Sequence, residues 1–173
     1  MQGTISFLIG IHSPVHSILV LLSWRKLYGS WPKFWELICI FLHDIGHLGL
    51  KDYLLDSKVK AKHWVLGARI AGRLFGSKGY DLVAGHCEYS GVPRSPLYKA
   101  DKYSWYICPA WLHLAFTFVE PDVFRGFTRM ESVRDFQNRV KTSIESGEYT
   151  SSHGLYLARL KERGIKDGVN GNA

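Results

Sequence analysis

Residues 38–49 read Ile38-Cys39-Ile40-Phe41-Leu42-His43-Asp44-Ile45-Gly46-His47-Leu48-Gly49. An apolar run enters a His-Asp pair, and a further histidine follows one turn later. Upstream, Ser30-Trp31-Pro32 is a helix opening, and Phe34, Leu37, Ile38, Phe41 and Leu42 recur at helical spacing. The pattern predicts a helix that runs into His43-Asp44 and stops near Gly46. The pair therefore interrupts a core-facing stripe. Burying an imidazole and a carboxylate without partners costs a few kcal/mol each, on the order of 2–7. A shared metal ion relieves that cost. Consecutive residues near a helix end point roughly 100° apart, so His43 can ligate one ion while Asp44 reaches a second.

Working outward, His16, His63, His86 and Asp101 form an ordered series with this pair, each within or at the end of an expected helix. Ser13-Pro14 opens a helix over 14–27 that Gly29 ends. Val59, Val65, Leu66, Ile70 and Leu74 give an apolar face to a helix over 57–75, after a loop through Gly49 and residues 51–56. Residues 76–79 are read as a break, and 81–86 as a short helix. Gly91, Pro93 and Pro96 mark a loop. A long helix is expected over 97–118, tolerating or kinking at Pro109, then an irregular stretch over 120–128. Helices are expected over 130–146 and 151–163. No alternating strand pattern, internal repeat or low-complexity block appears. The reading is an all-α single-domain helical bundle over 1–163, with a Gly/Asn-rich tail over 164–173 expected to be disordered.

Five segments together carry a resemblance: His16-Ser17-Ile18-Leu19-Val20, His43-Asp44-Ile45-Gly46, His63-Trp64-Val65-Leu66-Gly67-Ala68, Gly85-His86-Cys87-Glu88 and Lys99-Ala100-Asp101-Lys102. In this order they resemble the HD-domain metal-dependent phosphohydrolases, over roughly 13–106. The additional His63 and His86 resemble the two-metal branch. That branch includes dinucleoside tetraphosphate hydrolases, cyclic-dinucleotide phosphodiesterases and mixed-valence di-iron oxygenases. The resemblance implies an HD-type helical bundle in which His16, His43 and Asp101 hold one ion, His63 and His86 hold the other, and Asp44 bridges. It implies one or two divalent transition-metal ions (Fe, Mn, Zn, Co or Ni). This chain has His47 where the cyclic-dinucleotide enzymes often have Lys, and it lacks their Gly-Tyr-Pro extension. The part from about Glu120 matches no pattern of that family.

His12 lies one turn before His16 and rivals it as the first ligand. His16 is preferred because the apolar stripe continues from it, which leaves His12 to touch substrate or play a structural part. His47 is a candidate proton donor to a leaving group, or a plain helix-end residue. Glu88, two residues past His86, is a candidate proton relay or ligand-orienting group. Arg94 and Lys102 are the favoured phosphate-neutralising cations among Lys51, Lys58, Lys60, Lys62, Arg69, Lys99 and their neighbours. His113 and His153 fall outside the series.

The chain has 173 residues, a net charge of +7 and 46% hydrophobic residues. That length allows about 70% of the unfolded surface to be buried, and the composition excludes a disordered chain. The positive balance suits a polyanionic partner: a phosphorylated small molecule, nucleic acid or an anionic membrane surface. Cys39, Cys87 and Cys108 are too few and scattered for a disulfide framework, and a cytoplasmic setting is expected. The apolar stretch 5–24 lacks the features of a signal peptide and is interrupted by Gly10, His12, Ser13, Pro14, His16 and Ser17, so no transmembrane span is expected. No Gly-rich phosphate loop, nucleophile elbow or Cys-x-x-Cys pair is present. The expected function is metal-dependent hydrolysis of a nucleotide or a cyclic or linear dinucleotide phosphate. The alternatives are a di-iron oxygenase on the same ligands, or a non-catalytic module binding nucleotides or nucleic acid. The sequence does not speak to the oligomeric state.

Overall fold

The computed structural model describes residues 2–50, 60–119 and 130–147. Within them the chain is helical and strand-free. The eight α-helices are α1 (Gln2–Ile9), α2 (Pro14–Tyr28), α3 (Phe34–Leu42), α4 (Trp64–Phe75), α5 (Ser77–Ala84), α6 (Pro96–Ile107), α7 (Ala110–Val119) and α8 (Met130–Glu145). Short 3-10 turns occupy Ile45–His47 and Lys60–Lys62. Together they form an all-helical bundle consistent with an HD-type fold. The expected helix over 151–163, the tail, the irregular stretch 120–128, residues 57–59 of the expected third helix, Lys51, Lys58 and His153 lie outside the described residues.

Two apolar clusters hold the described helices together. The first joins Val20 and Trp24 of α2, Cys39 and Ile40 of α3, Ala68 and Ala71 of α4, Leu82 and Val83 of α5, and Leu97 and Ala100 of α6. The second joins Tyr103 of α6 to Phe116 of α7 and to Val133, Phe136, Val140 and Ile144 of α8. Fully burying a side chain of this size contributes roughly 1.5–3 kcal/mol. His113 belongs with the second cluster. It is fully buried between the Trp105 and Phe136 rings, and burial pushes its imidazole down to about 4, so it packs as a neutral ring.

Three expectations need correction. Residues 2–9 form a helix, α1, that the sequence reading did not include. It is tied to the turn after α3 by Gly3 N–H to the Leu50 carbonyl at 3.1 Å and Gly49 N–H to Thr4 Oγ1 at 3.0 Å. The break expected over 76–79 is confined to Gly76. Its φ of 70° turns the chain, and Ser77-Lys78-Gly79 already form the first turn of α5. The long helix over 97–118 is cut in two, because Pro109 holds Cys108 in an extended conformation with ψ 126°. The side-chain amide of Gln137 donates to the carbonyls of Trp105 (3.0 Å) and Cys108 (2.6 Å) exposed by that cut.

Glycine permits the tightest packing at two positions. A Cβ on Gly46 would overlap the backbone carbonyl of His63, and one on Gly67 would overlap the carbonyl of Leu42. The turn after α3 and the start of α4 therefore touch backbone to backbone, which brings His43-Asp44 beside His63. Gly46→Ala is expected to cost about 1–3 kcal/mol through overpacking, lowering the melting temperature by about 3–10 °C. Thermal unfolding followed by circular dichroism measures this, and an unchanged transition would contradict the close approach.

Candidate metal centre

Local chain geometry aims each ligand. His43 is the first residue past α3, and its Nδ1–H donates to the Ile40 carbonyl at 2.5 Å. His86 lies just past α5, and its Nδ1–H donates to the Val83 carbonyl at 2.5 Å. Both use a carbonyl that a helix C-terminus leaves without an intrahelical partner. Both bonds place the ring proton on Nδ1 and turn the Nε2 lone pair inward, as a metal-ligating imidazole requires. Asp44 sits where the chain leaves the helix, with φ −102° and ψ 5°. His16 is in the first turn of α2, Asp101 is in the middle of α6, and His63 immediately precedes α4.

All these groups converge on Asp44. Its Oδ2 lies 3.2 Å from His43 Nε2 and 3.5 Å from His16 Nε2. Asp101 Oδ1 closes that set, 2.9 Å from His16 Nε2 and 3.8 Å from His43 Nε2. Asp44 Oδ1 lies 3.7 Å from both His63 Nε2 and His86 Nε2, and those two nitrogens are 3.0 Å apart. Metal–ligand bonds of about 2.0–2.2 Å in tetrahedral geometry leave neighbouring donors roughly 3.3–3.6 Å apart. The observed spacings bracket that range, so the residues fit a cation on each side of the carboxylate. Two adjacent metal-binding sites result, consistent with an HD-like arrangement and capable of chelating one or two divalent transition-metal ions. The two groups are His16, His43 and Asp44, and Asp44, His63 and His86; Asp101 Oδ1 stands beside the first, 2.9 Å from His16 Nε2. Clustered His and Asp ligands of this kind are typical of the catalytic metal site of HD-superfamily hydrolases.

His12 and His47 join the cluster differently. His12 Nδ1–H donates to Asp44 Oδ2 at 2.9 Å, and His47 Nε2 lies 3.7 Å from Asp44 Oδ1. These two and Asp44 are close enough to form a third ligand group. Their rings, however, stack at 3.8 Å with only 8° between planes. An ion midway between parallel rings would sit out of both planes, where no lone pair points. His47 also stacks on His63 at 4.6 Å.

Burial alone would raise the carboxyl of Asp44, but His43 and His12 outweigh it. Burial acts likewise on Asp101, where Lys102 and His16 outweigh it. Both carboxyls are held well below the usual range. Burial would lower His43, but Asp44 and then Asp101 outweigh it and hold the imidazole up at about 9.

Of the rim residues, Lys102 donates to Asp101 Oδ2 at 2.9 Å, which leaves Oδ1 for the ligand set. Arg94 is exposed, its guanidinium 4.5 Å from the Tyr98 ring centre, and Lys102 Nζ is 5.4 Å from the same ring. Glu88 is exposed and outside the three ligand groups, near enough to Lys102 and Tyr98 for its charge to bear on both. The sequence reading missed Ser104 and Tyr98. Ser104 Oγ donates to the Asp101 carbonyl at 2.6 Å and lies 3.4 Å from His16 Nδ1. Its signal was its place one turn after Asp101. Tyr98, one turn before it, reads as an ordinary core aromatic.

No family model matches the chain, and no curated protein or solved structure is significantly similar to it.

Removing the shared carboxylate should disturb both sites at once. Asp44→Asn is expected to abolish binding of both ions, whereas His63→Ala should lose one and keep the other, as measured by elemental analysis. In the metal-free protein, folded His43 keeps its proton to about pH 9, against 6.5 when unperturbed. Its stabilisation is therefore complete below pH 6.5 and is lost as pH rises through 9. Ligation needs the neutral ring. The chelated protein should melt at lower temperature as pH rises over that interval, while metal affinity increases. Calorimetry and metal titration would check the two opposed slopes.

Proposed function

We propose that the protein is a metal-dependent phosphohydrolase or phosphodiesterase, with residues 1–163 as its catalytic domain and a nucleotide or dinucleotide phosphate as substrate. The observation that supports this most directly is the Asp44 carboxylate, with a coordination-spaced set of imidazoles on each oxygen. In this reading His16, His43, Asp44 and Asp101 hold one ion, and Asp44, His63 and His86 hold the other. When bound, such ions acidify water toward pKa ~7 and offset the charge that gathers on phosphoryl oxygens. Asp44 would serve both ions through its two oxygens. His12, through its bond to Oδ2, would keep that carboxylate from rotating. His47, stacked on His63 with Nε2 3.7 Å from Asp44 Oδ1, would be the proton donor to the leaving oxygen.

The basic rim favours phosphate over an uncharged substrate. Lys102 spends one of its N–H bonds on Asp101 and has two others for phosphoryl oxygens. Arg94, exposed beside Lys102 with its guanidinium over the Tyr98 ring, carries the planar group that suits phosphate. Glu88 beside Lys102 is placed to pass a proton to solvent. The three free, buried cysteines suit a reducing compartment such as the cytoplasm.

Protein loaded with Mn, Fe, Co or Zn should hydrolyse members of a panel of nucleotides and of linear and cyclic dinucleotides. His43→Ala should lower kcat by roughly 10³-fold or more. Arg94→Ala should mainly raise KM. Chromatography of the products measures all three. Metal-loaded protein inert across the panel would overturn the reading, and substrate-dependent oxygen uptake would replace it with an oxygenase.

A further inference from the structure

The N-terminal face of the bundle carries apolar groups that the described residues leave uncovered. On α2, Val15, Ile18 and Leu22 are exposed at i, i+3 and i+7, one face of the helix, and Arg25 continues that row. The Arg25 guanidinium lies 6.0 Å from the ring of Trp31, on the segment that leads into α3. Trp31 is 57% exposed and Phe34, at the start of α3, is 77% exposed. Phe41 continues the row two turns along α3. Exposed large apolar side chains on α2, on the segment before α3 and on α3, linked through Arg25 and Trp31, mark a candidate interaction surface.

The charge on this face is mainly positive. Arg25 and Lys33 are exposed, as is Lys26, whose ammonium lies 5.6 and 5.5 Å from the Tyr103 and Tyr106 rings of α6. The one acidic residue near Phe34 is Glu36, which accepts from Lys33 N–H at 2.6 Å. A Trp and a Phe set among Arg and Lys, beside an apolar helical stripe, match the two-part demand of a lipid interface: apolar groups for the acyl boundary and cations for the headgroups. Among the described residues no single helix is long and apolar enough to cross a membrane; Gly3–Ile9 and Pro14–Tyr28, bent by 58° at their break, reach that length and apolarity only as a pair. The opposite face of α2 buries His16, Ser17, Val20, Ser23 and Trp24 in the protein and carries His16 to the metal centre. A helix anchored on that side suits a membrane surface better than its interior.

We propose that this face docks the protein on the surface of an anionic membrane, with Trp31 and Phe34 entering the interface and Arg25 and Lys33 meeting lipid phosphates or carboxylates. The proposal is independent of the reaction assigned to the metal centre.

Co-sedimentation of the full chain with vesicles tests it, using phosphatidylcholine alone and phosphatidylcholine mixed with phosphatidylserine. Binding should appear with the mixed vesicles, weaken at high salt, and shift Trp fluorescence to the blue. The double variant Trp31→Ser, Phe34→Ser should bind at least roughly tenfold more weakly. Lys33→Gln should bind roughly fivefold more weakly. Both should keep wild-type metal content and melting temperature. No binding to mixed vesicles, or binding that the double variant leaves intact, would overturn the proposal. So would self-association of the free protein that the double variant abolishes, because the face would then be covered by a second copy of the chain.

Discussion

One carboxylate organises this protein. Asp44 is 4% exposed and lies within 3.7 Å of nitrogens from six histidines: three around Oδ2 and three around Oδ1. His43 and His86 donate their Nδ1 protons to backbone carbonyls, so their inward nitrogens present lone pairs to an oxygen that also has only lone pairs. Such facing acceptors repel unless a proton or a cation lies among them. In the metal-free protein a proton does this work at His43, which Asp44 and Asp101 hold charged to about pH 9 while both carboxyls stay ionised. With ions present, the same atoms stand at coordination spacing. The bundle is thus built to hold positive charge at a fixed place, and the helices are arranged around that need.

Much of this was legible in the sequence, for a definable reason. Ligands near helix ends leave a local trace: a polar residue interrupts an apolar stripe beside a stop signal, as at His43 after Leu42 and at His86 after Gly85. Glycines at backbone contacts also leave a trace, and Gly46 and Gly67 follow His43 and His63 at short, fixed intervals because a side chain at either would separate α3 from α4. Such signals, together with a family resemblance, single out six candidates; His16, His43, Asp44, His63 and His86 fall into the two ligand groups, and Asp101 lies beside His16.

What escaped the sequence is what depends on long-range packing. The helix α1 has little periodicity of its own and owes its place to the Leu50 carbonyl and the Gly49 amide, far along the chain. The choice between His12 and His16 rested on a stripe that both could share. The fold gives both a place, with His16 between Asp44 and Asp101 and His12 bonded to Asp44 from the other side. The split at Pro109 was visible as a proline but not as a complete break, because the partner that satisfies the broken end is Gln137 on α8. Ser104 and Tyr98 acquire meaning only once Asp101 and Lys102 are placed.

The central claim is that cations occupy both sides of Asp44. Anomalous scattering from crystals grown with manganese measures it directly. Two peaks should flank the carboxylate about 3.5–4 Å apart, one among His16, His43 and Asp101 and the other beside His63 and His86. A map with neither peak, with the imidazoles bonded instead to one another and to water, would contradict the account.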